Sequence, residues 1–310
     1  MKKTAVIYNP KATGMSKLSL DKVKSIFNKR IQADLFESQK AGDTPRLVQK
    51  INDDYDWIIT MGGDGTMGEA VQALNDVTQR GFYSHIPVGT TNDTANNFGM
   101  RGYDPYTLIK MMTSSGNLRE IDMDALEVNG RAVGYVSACG AFTDIPYRTP
   151  RFLKMSLGTL GYYTTLGLMF PEVIHDLIKK PLKLTYERDG KIIETEALTL
   201  LVSNSKNFAG MNLYPNTSIG DGKFEVAIVK KFPFAKLYDF ASKVSNYDEG
   251  KFSMEDYSDY VDYFQTDNFE VIVDTDKKSL NNDGDEVIMD SHRLRYDIKK
   301  KIKVMVPKVK

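Results

Sequence analysis

The sequence predicts an α/β N-terminal domain built on a parallel sheet, followed by an all-β, sandwich-like second domain. Three observations carry this expectation. At 310 residues the chain is longer than one average core needs and suits two. Up to about residue 120, short apolar runs alternate with amphipathic stretches, the pattern of strand–helix–strand units. Beyond that point, turn pairs separate strand-like runs, as in antiparallel sheets. The expected domains are 1–120 and 121–291, with a tail of about 292–310 that can return to the first.

Ala5-Val6-Ile7-Tyr8 reads as the first strand and stops at Asn9-Pro10. Lys17 to Lys29 reads as a helix with Leu18, Val23, Ile26 and Phe27 on one side. Asp43-Thr44-Pro45 marks a helix start, a capping residue beside an early Pro, and Leu47, Val48 and Ile51 supply its buried stripe. Residues 57–61 form the second strand, followed by a glycine cluster and a helical run from Glu69 to Leu74. Ile86-Pro87-Val88 is a third short strand. In the second domain, Asn129-Gly130 and Asp189-Gly190 are hairpin turns between runs such as Leu126–Val128 and Leu184–Tyr186. Residues 197–203, 224–229, 269–273 and 287–289 extend the β pattern, which a mixed helical stretch near 150–180 interrupts. No internal repeat or low-complexity linker divides the halves, so they are expected to share an interface.

Lys+Arg and Asp+Glu both number 41, so the broad basic field of a nucleic-acid binder is absent. The single cysteine, Cys139, excludes an intramolecular disulfide and reads as a buried spectator thiol. His85, His175 and His292 are scattered, without zinc-site spacing. The first apolar run is too short for a signal-peptide core. The longest uncharged stretch, residues 155–171, falls short of the roughly 20 apolar residues of a bilayer span. A cytoplasmic protein is expected.

The most informative segment is Met61-Gly62-Gly63-Asp64-Gly65-Thr66-Met67-Gly68-Glu69, between a strand and a helix. Glycines let the backbone turn tightly and approach a phosphate closely. The helix N-terminus that follows offers unpaired N–H groups and a partial positive charge. Thr66 and Glu69 have the spacing of a capping box. A plain capped turn is the alternative reading, but four glycines in seven positions around one acid favour phosphate binding. No P-loop sequence occurs. Gly63, Gly65 and Gly68 do spell G-x-G-x-x-G, yet they follow the second strand, and the next strand ends in Gly89-Thr90 rather than a ribose-holding acid. Both facts oppose a dinucleotide-dependent oxidoreductase.

Gly62-Gly63-Asp64-Gly65-Thr66 resembles the GGDGT motif of diacylglycerol kinases, sphingosine kinases and NAD kinases. Other segments resemble the lipid kinases alone. Asn9-Pro10 with Gly14 is similar to their NP-x-x-G opening, and Gly89-Thr90-Thr91-Asn92-Asp93-Thr94-Ala95 to their GTxNDxA segment. Gly220-Asp221-Gly222-Lys223-Phe224 resembles (D/G)DGxF, and Asn282-Asp283-Gly284-Asp285 the terminal DG(E/D). The matches keep their order from residue 9 to 285, so the chain resembles the soluble lipid kinases of the diacylglycerol-kinase type over nearly its whole length.

That resemblance implies an NAD kinase/diacylglycerol kinase-like fold and ATP-dependent phosphorylation of a lipid hydroxyl, diacylglycerol first. It implies an ATP site between the two domains, built from Asn9, Pro10, Gly14, Gly62, Gly63, Asp64, Gly65, Thr66, Gly68, Glu69 and Thr90, with Asn92 and Asp93 beside it and Ser38 as an adjacent contact. Asp64 would hold Mg²⁺ on the triphosphate or orient the incoming hydroxyl; a cap on local N–H groups is the alternative. The terminal motif implies a general base at Asp285, with Asp283 the neighbouring candidate and a plain hairpin turn the alternative. A structural Mg²⁺ is implied at the Asp221 carboxylate and the carbonyls of Ser218 and Lys223, against a simple Asp-Gly turn. Two residues depart from the family pattern: Asp285 stands where Glu is usual, and Gly68 where Asn is usual.

Residues 155–171, with Arg148, Arg151 and Lys154 before and Lys179-Lys180 after, suit an anionic membrane surface or, alternatively, core helices. The implied partner is a lipid alcohol at a transiently contacted membrane; a homodimer stays open. The competing functions are an NAD kinase, which the GTxND segment opposes, and a catalytically decayed nucleotide- or lipid-binding protein, which Gly68 and Asp285 keep open.

Overall fold

Thr4–Tyr8 (β1) is buried along its whole length, as a central strand covered by helices on both faces must be. This computed structural model describes residues 3–40, 42–140, 143, 181–208, 211, 212, 214, 217–231, 233, 236, 254–276 and 278–309. The stretch at 155–171 and its flanking basic residues, like the helical stretch expected near 150–180, lie outside them. The chain divides into two compact units. The first is Met1–Ala125 with Ala132–Gly134 and Lys299–Lys310; the second is Leu126–Arg131 with Tyr135–Ile298.

After β1, unit 1 runs through α1 (Leu20–Asn28), β2 (Ala33–Glu37), α2 (Asp43–Ile51), β3 (Trp57–Gly62), α3 (Asp64–Asp76), β4 (Phe82–Pro87), α4 (Asp93–Asn97), α5 (Pro105–Met112) and the start of β5 (Leu118–Val128). The strands pair in parallel in the order β2-β1-β3-β4. Val6, Tyr8, Ile59, Met61 and Ile86 form one face of the sheet and pack with Val23 and Phe27 of α1 and Ile109 and Met112 of α5. The opposite face carries α3: a side chain on Gly62 would strike Thr66 of that helix.

Several boundaries move from the sequence expectation. The first helix starts at Leu20, because Ser19 caps it by accepting from the Lys22 N–H and Leu18 is extended. The second starts at Asp43 as expected, but behind a left-handed Gly42 as its cap residue, and the Asp43 carboxylate accepts from the N–H groups of Gln39 and Lys40. The third strand begins at Phe82, not Ile86, and β2, α4 and α5 add to the expected elements.

Unit 2 is antiparallel. Its strands are β6 (Arg131–Val133, whose last residues join unit 1), β7 (Val136–Gly140), β8 (Leu182–Arg188), β9 (Lys191–Ser203), β10 (Asn207–Phe208), β11 (Met211–Asn212), β12 (Phe224–Lys230), β13 (Val261–Thr266), β14 (Asn268–Asp274), β15 (Ser279–Asn282) and β16 (Asp285–Ile288). The last strand, β17 (Arg293–Pro307), gives its first residues to unit 2 and its remainder to unit 1, where Val304 pairs with Tyr83 of β4. β9 serves two runs: residues 191–197 pair with β8, which continues to β14 and β17, while 199–203 lie between β7 and β12. Beyond β12 lies β13, and beyond β7 lie β15 and β16. The runs meet through aromatic rings. Tyr186 of β8, Phe264 of β13 and Phe269 of β14 have centroids 5.6 to 6.3 Å apart. Tyr296 of β17 stacks on Phe269 at 6.2 Å. This is the sandwich-like arrangement expected from the hairpin pattern.

Candidate phosphate-binding site

In unit 1 the loops after β1, β2, β3 and β4 leave the same edge of the parallel sheet and are tied together. The Asn9 N–H donates to Met61 O at 2.9 Å, Gly14 N–H to Val88 O at 2.8 Å, Ser38 N–H to Tyr8 O at 2.9 Å and Val88 N–H to Gly62 O at 2.8 Å. Side chains add to this. Asn9 Nδ2 reaches Thr66 Oγ1 at 3.3 Å, and the hydroxyls of Thr13 and Thr90 lie 3.0 Å apart. Open α/β sheets take their ligands at this edge.

Glycine decides the shape. A Cβ on Gly89 would come 2.5 Å from Gly63 Cα, and one on Gly14 2.9 Å from Val88 O. Asn92, left-handed at φ 54°, closes the loop by accepting from Gly89 N–H at 2.8 Å and donating to Gly89 O at 3.2 Å. Behind this cradle α3 begins at Asp64, with Gly63 as its cap residue and no side chain capping it. The first N–H groups of a helix have no intrahelical acceptor, so Gly63–Thr66 presents amides to an anion.

The expected capping box is not formed. Thr66 Oγ1 accepts from Asn9, and Glu69 Oε1 accepts from Gly42 N–H at 2.9 Å, tying α3 to the loop after β2 instead. Ser38 is buried beside Thr44, whose hydroxyl lies 3.4 Å away. Gly68 is buried on α3, and Pro10 is exposed.

Asp64 joins two helix starts. Its Oδ1 accepts from Thr94 N–H at 3.1 Å and its Oδ2 from the Thr91 hydroxyl at 3.0 Å, so it caps α4 from the first residue of α3. Burial holds this carboxyl above the usual carboxylate range, only partly offset by those donors. Asp93, the next acid, is fully buried at the first position of α4. Thr13, Thr91 and Thr94 join these contacts, and their only signal in the sequence is a hydroxyl inside two of the motif loops.

In unit 2 the terminal motif is a two-residue hairpin turn between β15 and β16. Asp283 and Gly284 are left-handed at φ 56° and 95°, and Asn282 pairs with Asp285. Asp283 Oδ1 accepts from the N–H groups of Tyr135 at 2.8 Å and Val136 at 3.1 Å, while its own N–H donates to Val136 O at 3.0 Å. Its carboxylate is thus an anchor for the turn. Asp285 opens β16 and is exposed. Asp221 is exposed and closes a turn by accepting from Lys223 N–H at 3.0 Å, with Ser218 exposed nearby in sequence. Among the described residues no group of three His, Cys, Asp or Glu side chains is placed to hold a metal, and no helix is long and apolar enough to cross a membrane.

By fold and strand-end loops, unit 1 belongs to the open α/β class that binds ligands at the carboxyl edge of its sheet. The diacylglycerol kinase catalytic domain family matches residues 3–126. A diacylglycerol kinase of Bacillus subtilis (strain 168) is 31% identical over 245 residues, covering 76% of this chain and 77% of the relative. One from Staphylococcus carnosus (strain TM300) is 29% identical over 240 residues, covering 76% and 75%. The crystal structure of a diacylglycerol kinase from Bacillus anthracis str. Sterne matches with a TM-score of 0.68 at 19% identity, over 99% of this chain and 97% of that one. The chain belongs to the diacylglycerol kinase family, and its fold is the NAD kinase-like fold expected from the motifs.

Proposed function

We propose that this chain transfers the γ-phosphoryl group of ATP to a lipid hydroxyl, with diacylglycerol as acceptor and phosphatidic acid as product. The observation that carries the reading is the cradle formed where Gly63 meets Gly89 in front of the uncapped start of α3. Phosphoryl transfer asks a protein mainly to position its reactants and neutralise charge, and backbone amides at a helix start do both. Membership of a family whose relatives are named diacylglycerol kinase selects the acceptor.

In this scheme Gly14, Gly63, Gly65, Thr66 and Thr90 hold the triphosphate, and Asn9, Gly62 and Asn92 keep their loops in place. Glu69 and Ser38 brace the loop after β2. Asp64 would hold a Mg²⁺ bound with the nucleotide, which would supply charge neutralisation on the phosphates, or would orient the incoming hydroxyl. The lipid oxygen attacks the γ-phosphorus, forming a new P–O bond as the bond to the bridging β,γ-oxygen breaks and ADP leaves. The hydroxyl proton passes to the Asp285 carboxylate and then to water. Asp283 holds the hairpin that carries Asp285. A hydrated Mg²⁺ at the Asp221 turn would be held by one carboxylate oxygen and the carbonyls of Ser218 and Lys223, and would brace the chain entering β12. The acyl chains are met at a membrane surface that the protein contacts transiently.

The experiment is transfer of radiolabelled phosphate from ATP to diacylglycerol in mixed micelles. The wild type is expected to label the lipid, and Asp285→Asn to lose most of that activity. Failure to label any of a panel of lipid alcohols, or formation of NADP from NAD instead, would overturn the assignment.

A further inference from the structure

β3 and β4 place Thr60 opposite His85, and both side chains are buried on the α3 face of the sheet. A buried imidazole among apolar neighbours is costly unless its nitrogens are paired. Here Thr60 Oγ1 lies 2.7 Å from the Tyr83 hydroxyl and 2.8 Å from His85 Nδ1. The ring also hydrogen-bonds the backbone of Gly62. A carbonyl only accepts, so a ring N–H donates to it. Burial keeps the ring neutral, with its pKa lowered to about 3. A neutral imidazole has one N–H. With Nδ1 accepting from Thr60, the N–H sits at Nε2, giving a satisfied chain from Tyr83 through Thr60 and His85 to Gly62.

The Gly62 carbonyl and the Gly63 N–H belong to one planar trans peptide, so fixing the first aims the second in the opposite direction. Val88 N–H holds that carbonyl from the neighbouring strand at 2.8 Å. We infer that His85 is a positioning residue for nucleotide binding: its N–H is the second hold on the Gly62 carbonyl and keeps the Gly63 amide turned toward the phosphates. This rests on the reading above that the turn binds ATP.

The test compares His85→Phe, His85→Gln and His85→Asn with the wild type by calorimetric titration of Mg·ATP, on samples shown to be folded by circular dichroism. Gln places a donor near Nε2 and Asn near Nδ1. His85→Phe is expected to weaken Mg·ATP binding about ten-fold, the loss of one buried hydrogen bond, and His85→Gln by much less. His85→Asn should resemble Phe, and the KM for lipid should stay put in all three. Long-range ¹H–¹⁵N spectra of the wild type should show the Nε2–H tautomer. If His85→Phe does not fold, the contrast between Gln and Asn decides. Equal affinities in the folded variants, or an Nδ1–H tautomer, overturn the inference. A wild type that does not bind Mg·ATP at all overturns the proposed function itself, so the two failures are distinguishable.

Discussion

Gly89 stands so close to Gly63 that a methyl group added to it would lie 2.5 Å from the Gly63 Cα. The reverse addition is milder, since a methyl on Gly63 would lie 3.2 Å from the Gly89 Cα. The obstacle is backbone in both cases, and backbone cannot swing aside as a long side chain can.

Gly89→Ala is therefore expected to separate the loops after β3 and β4, costing about 1–3 kcal/mol of stability and more than ten-fold in Mg·ATP affinity, roughly. Gly63→Ala should do the same less strongly. Urea unfolding and calorimetric titration check the order, which fails if Gly63→Ala is the more damaging.

The terminal motif holds two acids, separated only by Gly284, with different expected roles. Asp285 is exposed, so Asp285→Asn should leave the unfolding midpoint unchanged while lowering kcat by about 10²–10⁴-fold, the range for losing a general base. Asp285→Glu should retain activity. Asp283→Ala strands the N–H groups of Tyr135 and Val136 and should cost about 1–3 kcal/mol of stability. Asp283→Asn keeps an acceptor and should cost less. Steady-state kinetics beside chemical denaturation separates the two roles.

Asp64 gives a pH signature. Burial places its folded-state pKa above the ordinary 3.8. The native state therefore binds this proton more tightly than the unfolded chain, and the Asp64 contribution to stability falls as pH rises from the ordinary value through the raised one. Asp64→Asn removes that cost. It should be more stable than the wild type at neutral pH by on the order of 1 kcal/mol, lose that advantage in acid, and transfer no phosphate. Urea midpoints measured across pH test the sign; a destabilised Asn variant at neutral pH would contradict it.

At the far end of α3, Lys300 Nζ donates to the carbonyls of Leu74 at 2.7 Å, Asn75 at 3.2 Å and Val77. A cation there complements the C-terminal end of the helix dipole, opposite the proposed phosphate cradle. Lys300→Met should lower stability by about 1–2 kcal/mol. A thermal melt with no shift would show the contact to be idle.

The central strands were legible because β1 and β3 are buried on both faces and so read as unbroken apolar runs. β2 was not: Ala33-Asp34-Leu35-Phe36-Glu37 ends the sheet order in unit 1 and needs only partial burial. β4 was read short because its buried residues include Ser84 and His85. Ser84 takes the Trp57 indole N–H and donates to Met305 O, while His85 meets Thr60, so their polarity is satisfied inside the fold. The geometry of the candidate site was legible at the glycines, because the close approach of Gly63 and Gly89 leaves no room for a side chain. The grip of Asp283 on Tyr135 and Val136, far away in the chain, leaves no local pattern to read. Likewise, spacing alone suggested that Thr66 and Glu69 cap α3, whereas each is used by a different loop.

The most direct measurement is a crystal structure of the full chain with Mg²⁺ and a non-hydrolysable ATP analogue. β- and γ-phosphate density is expected within hydrogen-bonding distance of the Gly63–Thr66 amides and the Thr90 hydroxyl. A nucleotide bound in full occupancy elsewhere, with that turn unchanged and untouched, would contradict it.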